Sequence, residues 1–288
     1  MVTTLYDKYI HFTLMETNIP GPNDRQIRTP LTGRKPQLNL KGSLLPAYNV
    51  AQIEVRATNF YTDIDLGQYK YAKVEAGYFG APGIAFEGAL LLSYLEKPSP
   101  DSVTVFPMVL GNYSVYSDSV IVKEWVAGTG LRTILTEVAN SMGMILSYDA
   151  EDYIIEQKVI SEGRTKDFIN KLTRMLPNLR IQFDSKRLIV YNTTKGRSDF
   201  YTIDKIAMAV KKGEALTLTG PWIPTMRPGD IAKVDPFFYK QSIGSTFVPF
   251  KTDQFIINVI DFSFGTIEGN SMITHMINKG EEQELTGE

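Results

Sequence analysis

His11 and His275 are the only histidines in a 288-residue chain that contains no cysteine. A metal centre or a histidine-based acid–base pair needs several such groups converging on one point. Each histidine instead falls inside an alternating segment, "YIHFTLME" or "SMITHMIN", and reads as a strand residue satisfied locally. Paired carboxylates occur at Asp63/Asp65 in "YTDIDLG" and at Glu151/Asp152. The first pair lacks the further ligand positions of a calcium loop and reads as a solvated turn. The chain has no G-x-S-x-G, no Walker loop and no G-x-G-x-x-G, and no helical pattern follows "GAPGIAFEG". The absence of cysteine removes disulfides, thiolate chemistry and Cys-ligated zinc. No catalytic constellation, cofactor or metal is therefore expected, and a hydrolase remains only as a reading whose acids are not visible. The 15 tyrosines and 15 phenylalanines would suit a carbohydrate-binding or adhesion module. They also suit β-cores, which we prefer.

The bulk composition fits this picture. Hydrophobic residues make up 43% and charged residues 22%, an ordinary globular balance. A net charge of -2 gives no strong bias towards nucleic acid or anionic membrane. The opening "MVTTLYDKYIHFTLMETN" lacks a basic stretch before an apolar run, so no signal peptide is expected. No apolar run approaches the roughly 20 residues of a membrane helix, so the expectation is a soluble protein made in a cytoplasm.

The elements that would position these residues are mostly strands. "YIHFTLME" puts Ile10, Phe12 and Leu14 on one face. From Val50 to Leu110, "AQIEVRAT", "YAKVEAGYF", "GALLLSYLE" and "DSVTVFPMVLG" read as β. Residues 119–197 change character. Leu131, Ile134, Leu135, Val138 and Met142 recur at helical spacing, with Gly143 placed to stop the helix. A second helix carries Phe168, Ile169, Leu172 and Leu176, with Thr165 as N-cap and Pro177 closing it. "LRIQF" and "RLIVY" read as a hairpin. Helix then strand occurs twice, which suggests an internally duplicated α/β module. From about Phe200 the β pattern returns in "ALTLTG", "DIAKVD", "STFVPF", "QFIINVIDFSF" and "SMITHMIN", before an acidic tail.

Ala72-Lys73-Val74-Glu75 and Ala232-Lys233-Val234-Asp235 share a pattern, and the strands around them come in the same order. The fold class expected is mainly β with an α/β insert: two related β-barrel-like domains, 1–118 and 198–288, flanking a small two-helix module at 119–197. Lys73 and Lys233 should then lie in equivalent strands. Pro228-Gly229-Asp230 would be the turn feeding the second unit, with Trp222 and Pro228 capping the open end of its barrel. The stretch from Asn18 to Leu45 is rich in proline and reads as a long basic loop. It carries Arg25, Arg28, Arg34, Lys35 and Lys41 against one acid, Asp24. Those five cations are the candidate subunit-interface arm.

The motifs also resemble a family. Asn49, Ala51 and Ile53, then Val74, Ala76, Gly77 and Tyr78, then Phe86 and Gly88, and finally Pro228, Gly229 and Asp230 resemble baseplate hub proteins of contractile-tailed bacteriophages and related injection machines. The resemblance implies a structural, non-enzymatic virion protein of the tail baseplate. It implies a homotrimeric ring in which two similar domains per chain present six positions. That ring would meet a sixfold tail tube, or a tube-adjacent baseplate protein, on one side and a threefold central spike on the other. DNA would pass through the lumen without specific binding, and no membrane partner is implied.

Overall fold

The computed structural model describes residues 8–17, 19–28, 37–44, 52–58, 66–78, 83–96, 103–111, 118–184, 186–203, 208–212, 215–234, 241–243, 246–248, 254–265 and 271–278. The molecule is mainly β with a small insert carrying two helices. Asp63 and Asp65 lie outside the described residues, as do Arg34 and Lys35.

The first β unit comprises β1 (Lys8–Met15), β2 (Arg25–Arg28), β3 (Gln37–Leu44), β4 (Gln52–Thr58), β5 (Tyr71–Tyr78), β6 (Gly83–Leu90), β7 (Tyr94–Glu96) and β8 (Val103–Leu110). The second comprises β14 (Phe200–Ile203), β15 (Met208–Lys212), β16 (Ala215–Gly220), β17 (Ile231–Val234), the hairpin β18 (Gln241–Ile243) and β19 (Thr246–Val248), β20 (Gln254–Gly265) and β21 (Ser271–Asn278). In the first, the sheet order is β3-β4-β8-β6-β5; in the second it is β15-β16-β21-β20-β17. Chain order and the antiparallel sense of every neighbouring pair agree as well.

The agreement extends to register. β20 slips by one residue against β21 between Ile257 and Val259. In the first unit, β6 and β7 together pair with β8, also with one residue extra between Leu90 and Tyr94. Pro107 of β8 stands opposite that irregularity and accepts the Leu91 N–H at 2.9 Å, so the N–H that proline lacks falls where the ladder is already broken. When the two bulges are aligned at Leu91 and Asn258, Ala89, Val109 and Gln52 correspond to Ile256, Ile277 and Ala215. Lys73 then faces Glu87 as Lys233 faces Gln254. The Ala-Lys-Val segments therefore occupy the same place in both units, with Ala72, Val74, Ala232 and Val234 all at 0% exposure. The units differ at the outermost strand, because β1 runs antiparallel to β5 whereas β14 runs parallel to β17.

The stretch 18–45 is not a loop throughout. β2 pairs with β1, and β3 inserts between β4 and β20, with Ser43 Oγ donating to Asp261 Oδ1. Leu38 and Leu40 alternate into the core at 0% exposure, a period-two signal that the surrounding prolines and cations mask. Through β3 the two units share one sheet and one apolar core, which includes Phe12, Phe86 and Phe106 from the first and Phe255 and Phe264 from the second. Gly88 lets β8 approach, since a Cβ there would collide with the carbonyl of Val109.

The insert is a strand–helix–strand pattern made twice. β9 (Val120–Trp125), α1 (Leu131–Ser141) and β10 (Ile145–Asp149) are followed by β11 (Val159–Arg164), α2 (Thr165–Met175), β12 (Leu179–Asp184) and then β13 (Arg187–Asn192). β9 pairs with β11, while β10 and β12 flank β13. The helix stripes expected from spacing are core: Leu131, Ile134, Leu135, Val138, Phe168, Ile169 and Leu172 are buried together. Gly143, at φ +66°, ends α1. Thr165 is the first helical residue rather than the cap, a place taken by Arg164. Asp152 caps α1 from a distance, accepting the Arg132 N–H at 2.9 Å.

Candidate functional site

The residues that sequence reasoning set aside for chemistry do not converge. His11 is half-buried on β1, its ring edge-on to Tyr9 at 5.3 Å. His275 sits on β21, which is not a neighbour of β1 in the sheet, and its side chain lies outside the described residues. Glu151 is solvent-facing and pairs with Lys195 at 3.2 Å. Among the described residues no group of three His, Asp or Glu is arranged to hold a metal ion.

The densest polar arrangement is a buried junction around the Pro-Gly-Asp turn. Gly229 adopts φ +92°, and a Cβ there would lie 2.6 Å from the ring of Tyr191, so both the turn and the packing require glycine. Burial pushes the Tyr191 hydroxyl up to about 12. Its neighbour Pro228 is buried and accepts a hydrogen bond from Gln182 Nε2 at 3.0 Å. Asp230 is 1% exposed. It accepts the Arg227 N–H at 2.7 Å and pairs with Arg197 at 2.9 Å, a contact that misses hydrogen-bond alignment. Arg227 reaches all three parts of the molecule. Its Nε donates to Asp184 of β12 at 3.1 Å, Nη1 to the carbonyls of Pro224 at 2.7 Å and Met226 at 3.0 Å, and Nη2 to the carbonyl of Ala85 on β6. The guanidinium also lies 5.4 Å over the Phe86 ring. This arrangement holds the insert and both β units in one geometry. It offers no nucleophile beside a base.

Burial pushes the Asp230 carboxyl up to about 7, against the pull of Arg197 and the Arg227 N–H. The folded state therefore holds a proton that the unfolded chain, near 3.8, has released. The resulting stability is complete below pH 3.8 and is lost as pH rises to about 7. Urea unfolding across that window should show Asp230→Asn with a flatter pH dependence than the parent. An identical slope would remove Asp230 as its source.

Trp222, expected as a cap on the second barrel, lies in the apolar core that the two units share. It is 1% exposed, stacked on Phe86 at 5.8 Å and on Phe262 at 5.0 Å, and tilted against Phe264 at 4.7 Å. Because its neighbours come from both units, the ring is drawn inside rather than left at an edge. Of the five cations expected to form a basic arm, three lie on described strands. Lys41 is exposed on β3, between β4 and β20; Arg25 is exposed on β2, whose sheet partner is β1; Arg28 is on β2 with its side chain outside the described residues. Sequence reasoning missed Arg227, Arg197 and Asp184. Two charges flanking a proline–glycine turn, in Arg227-Pro228-Gly229-Asp230, were the available signal.

Exposed apolar side chains concentrate at two places. On the insert they include Val120 and Val122 of β9, Ile145 of β10, Ile160 of β11, and Val126, Tyr153, Ile154 and Met175. At the end of the first unit they are Leu91, Leu92, Tyr94 and Leu95, on or beside β7. Among the described residues, no helix is long and apolar enough to cross a membrane.

No protein-family model matches the sequence, and a search of curated proteins finds no match. Solved structures do match in fold. A tail protein from Neisseria meningitidis aligns at a TM-score of 0.62 and 9% identity, over 96% of this chain and 98% of its own. The 43 kDa tail protein of prophage MuSo2 from Shewanella oneidensis aligns at 0.59 and 9%, over 95% and 98%. The E. coli c3393 protein is a component of the type VI secretion system described as similar to the T4 tail proteins gp27 and gp5. It aligns at 0.58 and 10%, over 86% and 75%. The fold of this chain is thus similar to that of these tail and type VI secretion proteins.

Proposed function

We propose that this chain is a structural protein of a phage tail or related contractile injection machine, and that it forms the central hub of the baseplate. Three copies form a ring, each giving two similar β units, so that a threefold assembly offers six similar positions. One side of the ring meets the sixfold tail tube or a tube-adjacent protein, the other the threefold spike, and DNA crosses the lumen without specific contacts. The division of labour assigns residues 1–118 and 198–288 to the ring and 119–197 to a module held on it by Arg227. The protein is not an enzyme, and its place is the virion tail.

The observation that carries this reading is the repeated strand order with matching registers in the two units. Unrelated β-domains joined in one chain would have no reason to share a bulge position. Native mass measurement tests it. The expected species is about three times the 32.4 kDa chain mass. A monomer at all concentrations up to those of tail assembly would count against the hub.

A further inference from the structure

We infer that β15 of one copy pairs antiparallel with β7 of a neighbouring copy, in a register that the chain already displays internally. The inference deepens the hub reading: the number three rests on that reading, whereas the edge pairing rests on the strands described here.

β20 is used on both sides. β21 runs along one side; on the other, β17 pairs with its first residues and β3 with its last. Asp261, Phe262 and Ser263 face Ser43, Gly42 and Lys41. In the first unit, Tyr94, Leu95 and Glu96 of β7 correspond to those three residues of β20, because they face Val105, Thr104 and Val103 as the others face Ile273, Met272 and Ser271. The counterpart of β3 is β15, where Val210, Lys211 and Lys212 correspond to Lys41, Gly42 and Ser43. The equivalent contact would join Tyr94 to Lys212, Leu95 to Lys211 and Glu96 to Val210. Within a single chain it is not made. Among the described residues β7 pairs with β8 alone and β15 with β16 alone.

Burial agrees with a missing neighbour. Phe262 is 4% exposed, whereas its counterpart Leu95 is 53% exposed and the adjacent Leu92 is 88% exposed. Exposed strand edges with apolar side chains are templates for pairing with another chain. The contact joins two different surfaces, so it propagates from copy to copy and ends only by closing a ring.

The chain has no native cysteine, which makes crosslinking specific. Two double variants are prepared, Leu95→Cys with Lys211→Cys and Glu96→Cys with Val210→Cys. Adjacent antiparallel pairs alternate between wide and close spacing, so one of the two suits a disulfide. Leu95→Cys with Ala209→Cys is the off-register control, its Cα atoms lying too far apart to bridge. After mild oxidation, gels without reductant should show a covalent trimer for at least one in-register pair, at tenfold or more the yield of the control. A native trimer without in-register crosslinks, or with more in the control, overturns the edge pairing and leaves the hub reading standing. A chain that stays monomeric overturns both.

Discussion

Truncation of Trp222 to alanine is expected to cost about 3–5 kcal/mol, a large share of the stability of a domain this size. The indole is 1% exposed and stacked among Phe86, Phe262 and Phe264. Its removal leaves a hole between two rigid sheet segments, and aromatic neighbours of that size relax poorly into it. Since Phe86 belongs to the first β unit and Phe262 to the second, both units should lose protection together. Urea unfolding gives the energy, and hydrogen exchange on β6 and β20 gives the distribution. A loss below about 1 kcal/mol would mean that the core closes over the gap.

The second large effect is expected at Arg227. Replacement by methionine keeps much of the apolar stem but removes the fork that donates to Asp184 and to the carbonyls of Pro224, Met226 and Ala85. The Arg227 side chain is 10% exposed and that of Asp184 19%, so water compensates little. Breaking such a pair costs about 3–5 kcal/mol. Arg227→Lys is the informative companion. It keeps the charge, but an ammonium cannot span acceptors on three segments. Its stability should lie nearer the methionine variant than the parent. A lysine variant as stable as the parent would show that charge, not the fork, matters.

How much of this was legible beforehand depends on the range of each interaction. Helix spacing in 131–142 and 165–176 identified core residues correctly, because the 3.6-residue period is local. The pairing of Lys73 with Lys233 as equivalents came from four residues and strand order, and the registers now place them together. β3 was hidden, since its period-two pattern of Leu38 and Leu40 sits amid prolines and cations, and its partner β20 lies at the far end of the chain. The packing partners of Trp222 were hidden for a related reason. Proline neighbours suggested an edge, but the aromatics it packs on come from β6 and β20, which no local window contains.

The union of β3 with β20 also has a consequence in time. Ser43 and Asp261 are 218 residues apart, so during synthesis at 5–20 residues per second β3 waits about 10–45 s for its mate. Contacts of such high order are slow to form even in a complete chain. Throughout that interval the nascent chain displays an unfinished sheet rim beside the ribosome. The charge of Lys41 in the middle of the waiting strand opposes its stacking on the same strand of a neighbouring nascent chain, as gatekeeper charges do on other edges. Lys41, expected from the sequence to belong to an assembly arm, thus stands in the middle of the strand whose second partner is made last.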